Sequence, residues 1–240
     1  MRTDQGMLIL ATIASIVLWA IPITRPLLLP VTFLNTHLHE LCHALAAVAT
    51  GGSVESISVL SNGSGSTPVS GGNITLVASA GYVGSAVLGA LIIFFGRTER
   101  SARIVFWFLG ATMAVSLALF VRGDLVGVLS GAGWTVLFIF LGMKARGWFS
   151  TFFAQFVGVQ QCLAAFQSIL VLLNLALTSE VQSDAKILES ATGLPALGWA
   201  ILWSALSLVL VFFTLKLVWR TPQKATKEPA RPDAASLQIE

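Results

Sequence analysis

The chain has 240 residues, of which 55% are hydrophobic and only 10% are charged. Soluble domains carry about 25% charged residues, so this composition predicts an integral membrane protein and leaves little room for a soluble domain. The net charge of +3 comes largely from lysines and arginines in predicted loops and in the C-terminal tail. Such a distribution is typical of membrane-flanking segments and argues against a nucleic-acid-binding function.

The hydrophobic runs predict an all-α polytopic membrane protein with about six to seven transmembrane helices. Pro22 and Pro26 end the first run, and Gly51 and Gly52 end the second. Because the first run lacks a small-residue cleavage site, it predicts a retained helix rather than a signal peptide. The predicted spans are 7–24, 27–50, 74–96, 104–121, 125–142, 154–178 and 195–218.

The longest non-helical stretch, residues 51–73, follows the second predicted span and is rich in glycine and serine. Apolar and polar residues alternate over 54–59, and Gly63-Ser64-Gly65 has the composition of a turn. This pattern predicts a short surface β-hairpin after the second helix, with a flexible loop as an equal alternative.

Positively charged residues set the predicted orientation, because lysine and arginine are enriched in cytoplasmic loops. The stretch 51–73, the turn 122–124 and the segment 179–193 fall on the opposite side of the membrane. We therefore predict a membrane-embedded domain over 1–219 and a disordered cytoplasmic tail over 220–240. The basic residues predicted on the cytoplasmic side are Arg97, Arg100, Arg103, Lys144, Arg146, Lys216, Arg220, Lys224 and Lys227.

All three histidines of the chain lie within residues 37–43, where His39-Glu40-Leu41-Cys42-His43 reads H-E-x-x-H. Positions i and i+4 share one face of a helix, so His39 and His43 can bind one metal ion. Glu40 is turned by about 100° from His39 and can act on a water at the metal. A purely structural polar cluster is the alternative. Ionisable groups at membrane depth cost about 2.5 to 3.5 kcal/mol each, which favours a functional site.

The remaining histidine and the cysteines are predicted to have structural roles. His37 lies about 200° from His39 around a helix, so it faces away from the site as a supporting or packing residue. Cys42 and Cys162 lie in apolar segments and have neither the number nor the spacing of a disulfide framework or a zinc ribbon.

A catalytic zinc site needs three protein ligands, so a third ligand must come from another segment. No histidine is left for this role, and four acidic residues lie on the predicted side of the site. Asp184 follows Ser183 at a predicted helix start, where the helix dipole also favours an ordinary aspartate. The residues alone favour Asp184 and Asp124 nearly equally as the third ligand. The four acidic candidates are Asp124, Glu180, Asp184 and Glu189.

Several stretches between about residues 35 and 218 resemble the M50 (site-2 protease-like) membrane metallopeptidases, specifically the M50B-like branch. The H-E-x-x-H helix is the most specific of them. The others contain Ala80-Gly81-Tyr82-Val83-Gly84-Ser85 in the third predicted span and Ser183-Asp184-Ala185 near the seventh. The similar stretches are residues 39–47, 50–52, 54–59, 80–85, 183–185 and 192–195.

The resemblance implies a zinc metalloendopeptidase of the site-2 protease type. Carried over to this chain, it makes His39, His43 and Asp184 the zinc ligands and Glu40 the catalytic base. Well-studied members place the aspartate in a Leu-Asp-Gly context, which Gly123-Asp124-Leu125 echoes only in reverse. The M50B-like branch matches Ser183-Asp184-Ala185 better, which favours Asp184.

The implied partners are the lipid bilayer and a membrane-protein or membrane-associated peptide substrate, and the implied location is a bacterial cell membrane. The alternative function is a metal-binding membrane protein without hydrolysis, such as a transporter, a sensor or an inactive scaffold. Transporters line a path with ionisable residues on several helices. The other predicted spans are almost free of such residues, which favours a single site.

Overall fold

The computed structural model describes residues 3–178 and 183–221, so the predicted tail lies outside the described residues from position 222 onward. The described part of the chain is a bundle of α-helices, and a 3₁₀ helix at Pro22–Leu28 joins the first two. The helices are Thr3–Ala20 (α1), Leu29–Ala49 (α2), Ile74–Phe95 (α3), Glu99–Leu119 (α4), Leu125–Lys144 (α5), Gly147–Thr178 (α6), Asp184–Thr192 (α7) and Ala196–Arg220 (α8).

Five helices of the described residues, α1, α3, α4, α5 and α8, are long and apolar enough to cross a membrane. The chain is therefore an integral membrane protein with a mainly helical fold, as its composition predicts. Helix α2 falls outside this set because Asn35, the three histidines and Glu40 make it more polar. The number of spans, about six to seven, stays a prediction.

Polar caps explain why two helices begin earlier than the hydrophobic pattern predicts. Thr98 and Ser101 form a capping box, which starts α4 at Glu99 rather than near residue 104. The Glu99 side chain accepts a hydrogen bond from the backbone N–H of Gly147 at 2.8 Å, where α6 begins. These polar residues satisfy helix ends that a hydrophobic window cannot locate.

The segment after α2 forms two nested antiparallel pairs of short strands. Ser53–Val54 (β1) pairs with Val69–Ser70 (β4), and Ser58–Val59 (β2) pairs with Gly65–Ser66 (β3). Three residues on the first limb then lie opposite two on the second, which is a β-bulge. The predicted pairing is present, whereas a position at the membrane surface stays a prediction.

Two apolar clusters position the elements around α2. The larger one contains side chains from all six helices α1 through α6, and Phe106 and Phe138 are fully buried within it. The second holds α7 against α3 and α8, because Ala185 and Leu188 are buried against Ala78 and Trp203. This second cluster fixes the N-terminus of α7, and hence Asp184, in the bundle.

Candidate metal centre

His39 and His43 lie on successive turns of α2, and Asp184 is the first residue of α7. The two Nε2 atoms are 3.0 Å apart. An Asp184 carboxylate oxygen, Oδ2, lies 3.3 Å from each of them. The structure thus brings together three of the residues that the sequence analysis selected as ligands.

The spacing of these three atoms fits a metal ion. A tetrahedral zinc site with bonds of 2.0–2.1 Å separates its ligand atoms by about 3.3–3.4 Å. The observed separations of 3.0–3.3 Å are close to that value. Two imidazole nitrogens and one carboxylate oxygen are also a donor set that catalytic zinc sites use. In the described ranges 3–178 and 183–221, His39, His43 and Asp184 form the group of this kind that the structure contains.

The His43 ring is oriented by a hydrogen bond on the side away from the trio. Its Nδ1–H donates to the backbone carbonyl of Val77 on α3 at 2.6 Å. A carbonyl accepts and cannot donate, so this bond leaves the Nε2 of a neutral imidazole with its lone pair. Such a bond orients the ring and favours the tautomer that a metal ligand needs.

Asp184 owes its position to the start of α7. Ser183 caps the helix by accepting the Lys186 N–H, and Ala185 and Leu188 are fully buried behind it. Burial disfavours the charged carboxylate, but hydrogen bonds from His39 and His43 and their charges outweigh it. The pKa of Asp184 therefore lies well below its ordinary range, and the group is a carboxylate at neutral pH.

Glycine at position 81 allows α3 to pack directly over the two imidazoles. A Cβ at Gly81 would overlap His39 and His43 at the nitrogens that face Asp184. The spacing of small residues in this helix predicts close helix packing. It does not predict which glycine contacts the site, because that depends on the rotation of α3.

Glu40 is buried beneath the hairpin that follows α2. Thr67 donates a hydrogen bond from Oγ1 to Glu40 Oε2 at 2.7 Å. Gly65 packs so closely that a Cβ there would lie 2.6 Å from Glu40 Oε1. The turn composition around Gly65 predicts a hairpin, but nothing in the sequence predicts that Gly65 and Thr67 contact Glu40 on α2.

The other acidic candidates have different partners. Asp124 is the N-cap of α5 and accepts the Val126 N–H at 2.8 Å, so its role in the structure is helix capping. Glu189 pairs with Lys186 at 2.9 Å on the surface of α7. Glu180 lies outside the described residues.

His37 faces α5 and not the two other histidines, as its helical position predicts. Its Nε2 lies 3.0 Å from the carbonyl oxygen of Gly127 and 3.1 Å from Ser130 Oγ.

Aromatic side chains from α3 and α8 form one wall of the site. The Tyr82 ring packs edge-to-face with the His39 ring at a centroid distance of 4.6 Å. Trp203 stacks on the other side of Tyr82 at 5.0 Å. No sequence pattern gives these two rings a role in the site, because only the packing of α2, α3 and α8 brings them together.

Comparison with known proteins identifies the family of the chain. No curated protein and no solved structure matches the chain. A family model described as Peptidase M50B-like matches residues 8–214. The match covers most of the chain and confirms the resemblance seen in the sequence. The chain therefore belongs to the Peptidase M50B-like family.

Proposed function

We propose that the chain is an intramembrane zinc metalloprotease that hydrolyses peptide bonds of membrane-associated substrates. One observation carries the proposal: a carboxylate oxygen from α7 lies 3.3 Å from the Nε2 atoms of two histidines on α2. Glu40 lies beside His39 in the same helix. We further propose that the protein crosses a bacterial cell membrane several times.

His39, His43 and Asp184 would hold the zinc ion through two Nε2 atoms and a carboxylate oxygen. When bound, zinc supplies Lewis acidity, which makes a water more acidic and polarises a peptide carbonyl. The hydrogen bond from His43 Nδ1 to Val77 keeps one ring aimed at this position. Gly81 keeps the space beside both rings clear of a side chain.

Glu40 is the group that would move the proton. Its carboxylate would accept a proton from the attacking water and then give that proton to the leaving amine. The hydrogen bond from Thr67 fixes one carboxylate oxygen, so the base does not rotate away between the two steps. Burial of Glu40 under the hairpin limits its exposure to bulk water.

The second limb of the hairpin, residues 65–70, supports a role in holding the substrate. It contacts Glu40 through Gly65 and Thr67. Among the described strands, β3 and β4 each pair on one side only, which leaves their other edge unpaired. A membrane-spanning substrate must unwind before hydrolysis, and an unwound peptide can add to such an edge as a further strand.

A variant with Glu40→Gln tests hydrolysis separately from metal binding. The full chain, purified in detergent and supplied with zinc, would be incubated with peptides taken from single-span membrane proteins. Loss of a general base costs about 10²–10⁴-fold in turnover. We expect turnover to fall by that much while zinc content stays unchanged.

Glu55→Gln is the matched control, because Glu55 lies on the other limb of the hairpin and contacts Ser70. It should hydrolyse the peptides like the wild type. Equal turnover in wild type and Glu40→Gln would contradict the proposal and favour a metal-binding transporter, sensor or scaffold.

A further inference from the structure

Tyr82 is the only tyrosine in the sequence, and it follows Gly81, where an added Cβ would overlap both imidazoles. Its ring lies against the His39 ring at an interplanar angle of 74°. A tyrosine is more polar than this packing position requires, since phenylalanine has the same ring. The hydroxyl group is therefore the feature that needs an explanation.

The Tyr82 ring is held in place from behind. Trp203 stacks on it with an interplanar angle of 24°, and the indole N–H of Trp203 donates to Ser79 Oγ at 3.0 Å. Trp203 itself is almost completely buried. Rotation of the Tyr82 ring would disturb the contacts with Trp203 and His39, so the hydroxyl is preorganised.

The hydroxyl of Tyr82 is available to a ligand. Among the residues that the structure describes, none forms a hydrogen bond with it, and Tyr82 is only partly buried. The Tyr82 ring packs against His39, which precedes Glu40 in α2 and whose Nε2 lies 3.3 Å from Asp184 Oδ2. The free donor thus lies near both the proposed base and the proposed ligand group.

We propose that Tyr82 is a further catalytic residue, whose hydroxyl donates a hydrogen bond to the carbonyl oxygen of the scissile peptide bond. This inference rests on the proposed function. When the water oxygen bonds to the carbonyl carbon, the carbonyl π-electron pair moves to the carbonyl oxygen, which becomes negative. The Tyr82 O–H stabilises that charge and keeps its own proton. When the C–N bond breaks, the amine takes the proton from Glu40 and the carbonyl re-forms.

A side chain suits this task because the backbone amides of α3 are already used within the helix. Preorganised donors of this kind act at low cost, since they need not reorient as charge develops. Removal of one such donor lowers turnover by about 10²–10³-fold in well-studied hydrolases.

The kinetic test replaces Tyr82 by phenylalanine, which keeps the ring and removes the hydroxyl. We expect kcat to fall by about 10²-fold, with KM and zinc content close to wild type. A Tyr82→Leu variant should in addition lower zinc content, because it removes the ring that supports His39. Unchanged kcat in Tyr82→Phe would overturn the inference.

A spectroscopic test uses the single tyrosine. Biosynthetic incorporation of 3-fluorotyrosine places one fluorine label in the chain, at position 82. In zinc-loaded Glu40→Gln protein, a phosphinic peptide, which carries a tetrahedral anion, should shift the ¹⁹F resonance. Binding of that peptide without a shift would also overturn the inference.

The variants separate the two proposals. If wild type and Glu40→Gln turn over equally, the proposed function fails and the Tyr82 inference fails with it. If wild type exceeds Glu40→Gln but equals Tyr82→Phe, hydrolysis stands and only the role of Tyr82 is wrong.

Discussion

Two clusters of charged or ionisable groups lie in the same apolar bundle, and they differ in the groups that face the acid. In the first cluster, Arg97 donates from Nε to Asp4 Oδ2 at 3.0 Å and from a terminal nitrogen to the Thr221 carbonyl oxygen at 2.6 Å. It joins the start of α1 to the ends of α3 and α8. Here the acid is neutralised by a base from the same chain, and we call this cluster the closed pair.

The second cluster, which we call the open trio, consists of His39, His43 and Asp184. When both imidazoles are neutral, as metal ligands must be, its three facing atoms all carry lone pairs, and they lie within 3.3 Å of one another. Facing lone pairs repel unless a proton or a cation lies between them, and burial strengthens the effect. The closed pair therefore needs no further group to balance its charge, whereas the open trio needs a cation or a proton between its ligand atoms.

The largest effect should come from removing the acid of the open trio. Asp184→Ala should lower zinc affinity by more than the 10- to 100-fold that a change in a supporting residue costs. Metal analysis of the purified protein measures this. Asp124→Ala is the matched control, since it removes only a helix cap at a cost of about 0.5–2 kcal/mol. Zinc loss in Asp124→Ala alone would reverse the assignment.

Breaking the closed pair should affect stability and not metal. Arg97→Met removes the guanidinium that pairs with the buried Asp4 carboxylate, and breaking such a pair costs about 3–5 kcal/mol of unfolding free energy. Unfolding in detergent micelles should show a lower midpoint, while zinc content stays at the wild-type level. A double variant, Asp4→Leu with Arg97→Met, should recover much of the stability. Loss of zinc in correctly folded Arg97→Met would mean that the two clusters are coupled.

Filling the space beside the open trio should weaken zinc binding. Gly81→Ala puts a methyl group where His39 and His43 face Asp184, so a ring or α3 must shift. We expect zinc affinity to fall by about 10- to 100-fold, as when a supporting residue is changed. Gly133→Ala in α5 is the control, because nothing lies within 4 Å of its added methyl group. Equal zinc affinity in both variants would show that the site tolerates the shift.

The smallest effect should come from the hydrogen bond to Glu40. Thr67→Val keeps the shape and removes the donor, and a hydrogen bond to a charged group contributes about 1.5–3 kcal/mol. We expect turnover to fall roughly tenfold or more with unchanged zinc content. Thr67→Ser should restore turnover, and full activity of Thr67→Val would exclude an orienting role.

Local geometry explains what the sequence predicts well. The two histidines lie on the same face of successive helical turns, so their spacing alone predicts that they face the same site. The helical class follows equally from long apolar runs, and the helices of the structure confirm it.

Contacts between distant segments explain which features of the site the sequence does not predict. Residue physics left Asp184 and Asp124 nearly equal, and only the family resemblance favoured Asp184, because its position depends on how α7 packs against α3 and α8. Tyr82 and Thr67 reach the site through the same kind of long-range packing. Arg97 lies in a predicted basic loop but is buried in the structure, because it pairs with Asp4 near the start of the sequence.

The position of Asp184 on a short helix has a consequence for folding as well as for chemistry. An ion held by α2 and α7 would cross-link residues 43 and 184 and close a loop of 141 residues, the difference between the two positions. Long closed loops restrict the unfolded chain strongly, as a disulfide does. Chelation would release this tether and lower the free energy of unfolding, while the apolar cluster still holds α7 against α3 and α8.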